Sequence, residues 1–426
     1  MSDHHLLIHG SNCSLAISDG LITAAGSSLS GSARDEIDWS DALILPGWID
    51  AHVHFNEPGR ADWEGFATGS RALAAGGGTT FFDMPMNSSP PVITRTAFEE
   101  KRRIGENKSC LDFALWAGLT PDSLVHMEAM ADAGAIGFKA FMCPSGIDEF
   151  RAASPSTLRQ GMEIAARLGL PVAVHAEDPE SLRDHLLAHP SVTTDMRAWL
   201  DSRPIAAELS AIRIALDLAG ETGCSLHIVH VTCPEGIELV TAAKQKGVKV
   251  TVETCPHYLL LDESAGIAIG PAAKCAPPLR NSTTVAALWD QLLSDHIDTI
   301  GSDHSPSPPS LKQGSDIFAI WGGIAGIQHA LPLLLSVNSD IIPQLTSNVA
   351  TRFRLPEKGS LTPGHHADFI ALKKIPNTIT REQFLTRHPI SPYLGMTSQF
   401  TITATYLRGR QITAQTRGKF LAPARD

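Results

Sequence analysis

The stretch "LILPGWIDAHVHF", Leu43 to Phe55, is apolar for most of its length and ends with two histidines, His52 and His54, one residue apart. Its branched and aromatic residues, bounded by turn formers, read as a β-strand. On a strand, residues two apart share a face, so both imidazoles point toward one centre. Polar groups at the end of an apolar run are costly unless paired or coordinated. Two imidazoles side by side are what a metal site needs, although a lone H-x-H is common by chance.

Further along the chain the same kind of run recurs: "TTFFDMP" (79–85), "DFALWAGL" (112–119), "IGFKAFM" (136–142), "PVAVHAE" (171–177), "LHIVHVT" (226–232), "KVTVETCPHY" (249–258) and "DTIGSDH" (298–304). Between them lie segments such as "EGFATGSRALAAGG" (64–77) and "AAELSAIRIALDLAGETG" (206–223), with apolar residues at helical spacing. Strands that are apolar on both faces and alternate with helices define a parallel sheet covered by helices. Eight such strands close a (β/α)8 barrel, which takes about 250 residues. Residues 47–357 are therefore assigned to an α/β barrel.

The two ends read differently. "LLIHGSNCSLAISDGLITAAG" (6–26), "KGSLTPGHHADFIALK" (358–373) and "TITATYLRGRQIT" (401–413) look like short strands joined by tight turns. Residues 1–46 and 358–426 are expected to pair into one small β-sandwich domain, since chain ends often lie close together.

The bulk numbers fit a globular protein, with 43% hydrophobic and 19% charged residues among 426. A net charge of −11 argues against nucleic acid as the main partner. The densest basic run, Lys101-Arg102-Arg103, reads as a solvated helix end. Seven scattered cysteines with no C-x-x-C pair suggest neither a disulfide framework nor a zinc knuckle. There is no signal-like start and no membrane-length apolar run, so a cytoplasmic location without membrane contact is expected.

In a barrel of this type the active site forms at the C-terminal ends of the strands. The first strand brings His52 and His54 there, the second Asp83 and Asn87, the fourth Lys139, the fifth His175, the sixth His230, the seventh His257 and the eighth Asp303. His227, three residues before His230, is expected on the opposite face. A single buried histidine is more often a hydrogen-bonded core residue than a ligand, but four imidazoles and an acid on one face make that reading hard to sustain. Lys139, flanked by Phe138 and Phe141, is poorly tolerated as a buried free cation. Desolvation would leave a neutral amine, able to capture carbon dioxide as a metal-bridging carbamate. The alternative is a lysine whose ammonium reaches a carboxylate or the barrel rim. Asp303 could serve as both ligand and general base. His304 should point away.

These residues and motifs, from "LPGWIDAHVHFNEPG" to "KGSLTPGHHADFIALK", resemble the amidohydrolase superfamily, in particular its cyclic amidohydrolases: dihydroorotases, dihydropyrimidinases and allantoinases. The resemblance implies a barrel holding two divalent metals, zinc first, with iron, cobalt or manganese as other choices. His52, His54 and Asp303 would hold one metal and His175 and His230 the other. Carboxylated Lys139 would bridge them, and Asp303 would be the catalytic acid/base for a hydroxide between the metals. It also implies a homo-oligomer, dimer or tetramer.

Dihydroorotases typically carry arginine where this chain has Asn56, and a neutral amide cannot grip a carboxylate as a guanidinium does. Dihydropyrimidinases usually place a tyrosine a few residues beyond the bridging lysine; here Met142, Cys143, Pro144 and Ser145 follow. "HFNEPGRADWEGF", "DMPMNSSPP" and "GFKAFMCPSGIDEF" are similar to allantoinase segments. The implied substrate is a neutral cyclic ureide whose ring amide is opened by water. Asn56, Asn87, Ser145, His257 and Asn281 are candidate substrate contacts. Arg60 or Arg280 could still hold a carboxylate from another direction, which keeps dihydroorotase and hydantoinase as alternatives. A non-catalytic assembly homologue is the rival from another class, disfavoured because every ligand position is filled.

Overall fold

A computed structural model describes residues 4–29, 33–187 and 192–424. The barrel strands are Trp48–Val53, Gly78–Asp83, Asp112–Leu115 continuing as Ala117–Gly118, Phe138–Phe141, Val172–His175, Leu226–Ile228, Val250–Thr254 and Thr299–Ile300. They run parallel in chain order, and the third strand pairs with the second through its first piece and with the fourth through its second. The ring closes between its eighth and first strands. Val53 and His304 form a parallel bridge, His54 N donates to His304 O at 2.8 Å, and Asp50 Oδ1 accepts from Ser302 N at 2.9 Å. The expected (β/α)8 barrel is the fold.

Side-chain alternation sorts the strands into two layers. Phe81, Phe113, Phe138, Val172, Val174, Ile228 and Val252 face the helices, while Ile49, Ala51, Phe82, Trp116, Ala173 and Val229 fill the barrel interior with Phe353. Lys139, His175, Glu253 and Asp303 fall on the interior phase of their strands by the same count of two. The first strand needs help. Ile49 and Ala51 point inward, yet Val53 and Phe55 pack outward, because the register shifts between Asp50 and Val53. That irregularity turns His52 and His54 to the inside.

The opening stretch is divided between two domains. Leu43–Pro46 pairs with Phe369–Lys373 in a terminal sheet, whereas Trp48–Val53 is the first barrel strand. Gly47 makes the break, since a Cβ there would lie 2.2 Å from Thr79 Cγ2. The two four-stranded terminal sheets, one wholly N-terminal and one mixed, bury Leu6, Ile8, Leu15, Ile44, Phe369 and Tyr406 between them. Parts of the segment 358–426 lie on the barrel rather than in the two terminal sheets. Arg387 N donates to Glu64 Oε1 at 3.2 Å, and Leu421 N donates to Phe113 O at 2.7 Å.

Lys101 corrects the sequence reading of a solvated helix end. The helix Arg95–Lys108 buries Ala97, Phe98, Lys101 and Gly105 on one stripe. Lys101 Nζ lies 2.6 Å from Asp83 Oδ2 and donates to Met84 O at 2.7 Å, with both charged side chains fully buried. Charge alone placed Lys101 outside; the helical period places it inside, and Asp83 supplies its counter-charge. All seven cysteines are free, six of them buried. No helix among the described residues is long and apolar enough to cross a membrane.

Candidate active site

At the C-terminal end of the barrel, His52 Nε2 and His54 Nε2 each lie 3.2 Å from Asp303 Oδ1. His175 and His230 form a second pair, ring centroids 4.6 Å apart, and His230 sits 5.5 Å from His52. The four imidazoles and Asp303 therefore converge as the sequence suggested. Two of these residues depend on left-handed backbone, His230 at φ 45° and Asp303 at φ 46°. Such conformations cost about 1–3 kcal/mol each and persist only where the surroundings enforce them.

His230 also shows why counting by two failed near the end of the sixth strand. His227 faces the interior, 5.5 Å from the Phe353 ring, and the left-handed turn at His230 brings that side chain inside as well. The two histidines share the barrel interior instead of facing opposite ways.

Lys139 Nζ is buried with no hydrogen-bond partner among the described residues. Burial lowers its pKa to about 8, against the opposing charges of Asp303 and Glu253. The buried nitrogen His230 Nδ1 is also unpartnered. Asp303 is pushed up by burial, but His52 and His54 beside it more than offset this and hold it well below the usual carboxylate range. Orphaned buried nitrogens beside an ionised carboxylate fit the donor set of divalent cations.

Two carboxylates behind the imidazoles escaped the sequence reading. Glu253 Oε1 lies 2.7 Å from His52 Nδ1, and Glu177 Oε2 lies 2.6 Å from His175 Nε2. Their sequence signal was present but unused: each is an interior-phase acid at the end of an apolar strand. Gly301 lets the eighth strand come close, because a Cβ there would stand 2.5 Å from Glu253 Oε2 and 2.8 Å from His52 Cβ. His304 turns away toward Glu64, at 3.6 Å, and accepts from Gly326 N at 3.3 Å.

A cavity of about 350 Å³ opens over His52, His54, His175, His230 and Asp303. Asn87 and Ser145 line it. Asn87 Oδ1 is buried without a hydrogen-bond partner among the described residues. Ser145 Oγ donates to Phe150 O at 2.6 Å, which commits the hydroxyl to its own loop. The wall also holds Trp199, Phe318 and Trp321, none of which the sequence reading singled out.

Three candidate contacts do not reach that wall. Asn56 sits in a left-handed turn at φ 65°, with Nδ2 donating to Pro306 O at 3.3 Å. His257 is buried on the short helix Pro256–Leu260, 4.1 Å from the Tyr258 ring, and burial lowers its pKa to about 4. Asn281 caps the helix Ser282–Leu293, its Oδ1 accepting from Thr284 N at 2.9 Å. An asparagine before a Ser-Thr-Thr helix start is an N-cap by preference, and that preference prevailed.

The arginines considered as carboxylate grips are occupied. Arg60 Nη1 donates to Asn87 O at 2.7 Å, and Arg280 is buried against Glu208, Thr232 and the Arg203 carbonyl. Arg203 borders the cavity, but its guanidinium is paired with Glu177.

Residues 43–412 match the amidohydrolase family. The chain belongs to the amidohydrolase family. It is 46% identical to the allantoinase of Rubrobacter xylanophilus over 451 aligned positions, covering 100% of this chain and 99% of that protein. With the allantoinase of Deinococcus radiodurans it shares 46% identity over 96% of this chain and 94% of that one. Among solved structures, the L-hydantoinase (dihydropyrimidinase) of Arthrobacter aurescens superposes with a TM-score of 0.92 at 30% identity, covering 99% and 98% of the two chains.

Proposed function

We propose that this chain hydrolyses the ring amide of allantoin to give allantoate, a reading that joins its similarity to allantoinases with the chemistry of the cavity. The observation that carries it is the gathering of four imidazoles and one carboxylate at the floor of a cavity whose arginine is paired with Glu177, with the orphaned Lys139 amine buried beside them. A substrate carboxylate would need a free cation there, but Arg203 is paired with Glu177 and the Lys274 ammonium donates to the Phe318 and Ile320 carbonyls; a neutral ureide needs hydrogen-bond partners and flat apolar walls. Asn87 and the rings of Trp199, Phe318 and Trp321 offer both.

In this reading His52, His54 and Asp303 would hold one divalent cation and His175 and His230 another, with Lys139, once carboxylated, as a further anionic ligand. When bound, such cations supply Lewis acidity and make water a competent nucleophile at neutral pH. The protein's own part is positioning and proton transfer. Asp303, fixed by His52 and His54, takes the proton of the attacking water at a carboxylate oxygen and returns it to the departing ring nitrogen. Asn87 orients the ring or its ureido arm, and the aromatic wall limits bulk water around the opening amide. Zinc is the first choice of metal. Assembly as a homodimer or homotetramer in the cytoplasm is proposed with it, on the family resemblance alone.

The test is turnover of allantoin, dihydroorotate and dihydrouracil by metal-loaded enzyme, beside a Lys139→Ala variant. Allantoin hydrolysis, abolished in the variant, is the expected outcome. Preference for dihydroorotate would overturn the substrate assignment, and full activity in the variant would overturn the bridging lysine.

A further inference from the structure

We propose that Lys274 and Lys312 are positioning residues that hold one wall of the cavity by its main chain and so limit the bulk of the ring substituent it admits. The inference rests on the reading of this cavity as a cyclic-ureide site. Residues 318–323 line the cavity in sequence and form neither helix nor strand. Buried carbonyls in such a segment need partners from outside it. Lys274 Nζ donates to Ile320 O and, at 3.4 Å, to Phe318 O. Lys312 Nζ donates to Trp321 O at 3.1 Å and to Gly323 O at 2.7 Å. Four carbonyls of this one wall are thus held by two side-chain amines.

Neither amine is there to neutralise an acid. Asp316, the carboxylate whose charge favours the Lys274 ammonium, forms no ion pair with it among the described residues and accepts instead from Phe318 N at 3.0 Å. Burial lowers the Lys274 pKa to about 8, and the Arg203 charge acts in the same direction. Burial likewise lowers that of Lys312 to about 7, with Lys274 as the neighbouring cation. Two amines set close together away from water are costly, and the carbonyls they hold explain why they stay. Protonated or neutral, an amine keeps at least two N–H donors, so the hold does not depend on either charge.

The wall has further anchors. Lys274 O accepts from Gly323 N at 2.7 Å, and Lys274 Nζ lies 3.9 Å from the Trp199 ring. The Trp321 ring stands edge-on to Trp63 at 5.0 Å. Gly323 sits at φ 122°, and a Cβ there would lie 2.2 Å from Ser305 O, which ties the end of the wall to the segment just after Asp303. The height of the Phe318 and Trp321 rings over the imidazole floor is therefore set through the main chain as well as by ring packing.

The test is steady-state hydrolysis of allantoin and of benzylhydantoin by metal-loaded wild type, Lys274→Met and Lys312→Met. Retained metal, thermal unfolding and hydrogen exchange of residues 311–324 are measured beside it. Methionine keeps an unbranched stem and removes the donors. The expected result is a roughly tenfold higher KM for allantoin, with kcat and metal content as in wild type. The preference for allantoin over benzylhydantoin, as a ratio of kcat/KM, should fall about tenfold. Exchange should quicken in residues 311–324 and not in the barrel strands. Lys312 is only half-buried, so its variant keeps the test available should Lys274→Met unfold. Unchanged KM and preference would overturn the proposal, as would lowered kcat and metal content with KM unaltered. Unaltered exchange of residues 311–324 would overturn it even in an inactive variant. A wild type that opens neither ring would overturn the cyclic-ureide reading and the size limit with it, while exchange still reports the hold on the wall.

Discussion

Glu253 Oε1 accepts a hydrogen bond from His52 Nδ1 at 2.7 Å, while Nε2 of the same ring stands 3.2 Å from Asp303 Oδ1. One imidazole thus connects a fully buried acid of the seventh strand to the carboxylate of the eighth. Burial alone would lower the His52 pKa, but Asp303 and Glu253 outweigh it and raise the value to about 9. A cation, proton or metal, is favoured at this ring. Replacing Glu253 by Gln should lower kcat and weaken metal retention about 10–100-fold. Parallel measurement of turnover and bound metal checks this, and wild-type values for both would sink it.

Lys101 and Asp83 give the clearest stability prediction. Both are fully buried, 2.6 Å apart, and Asp83 Oδ1 also accepts from Phe55 N at 2.7 Å. Lys101→Met strands a buried carboxylate and should cost about 3–5 kcal/mol. Adding Asp83→Asn removes the stranded charge while keeping an acceptor for Phe55, so the double variant should recover much of the loss. Denaturant unfolding of the three proteins decides it.

Asn281 and Asn87 should separate structure from binding. Asn281→Ala removes a helix cap and should cost about 1 kcal/mol of stability with KM unchanged. Asn87→Ala removes the amide whose Oδ1 is unpartnered at the cavity wall and should raise KM for allantoin roughly tenfold. Steady-state kinetics beside thermal melts distinguishes the two; a raised KM in the Asn281 variant would return that residue to the site.

A buried charge network joins the barrel to the terminal domain and predicts a pH response. Lys358 Nζ lies 2.5 Å from Asp112 Oδ2 and 2.6 Å from Asp368 Oδ2. Burial pushes the Asp112 carboxyl up, but Lys358 and Arg408 more than offset this and hold it below the usual range. Burial likewise opposes the Lys358 ammonium, and Asp368 and Asp112 raise its pKa in net. The Asp112 contribution is complete above its unfolded pKa near about 4 and is lost as pH falls through the lower folded value. That of Lys358 is complete below about 10.4 and is lost as pH rises through the higher folded value. In Lys358→Met the melting temperature should be lower near neutral pH and its decline toward acid shallower than in wild type, because Asp112 loses the ammonium that holds its folded pKa down, as melts across pH would show.

Much of the architecture was legible because its causes are local. Apolar runs such as Val172–His175, ended by polar residues and separated by helical periods, specify a parallel barrel and the end where chemistry gathers. His52, His54, Lys139, His175, His230 and Asp303 stood out because polar groups in apolar strands need a partner. Asn281 misled because its local role, capping a helix, is as strong a reason for asparagine as substrate contact.

The sequence by itself determined the strand order, the interior phase of Lys139, His175 and Asp303 and the set of ligand candidates, since a period of two and burial cost act along the chain. Only the tertiary structure decided which acids stand behind which imidazoles, that Lys101 is buried against Asp83, that a register shift turns His52 and His54 inward and that left-handed backbone does so for His230. Those outcomes join residues far apart in the chain or bend the backbone out of its regular period, and neither local propensity nor spacing encodes them.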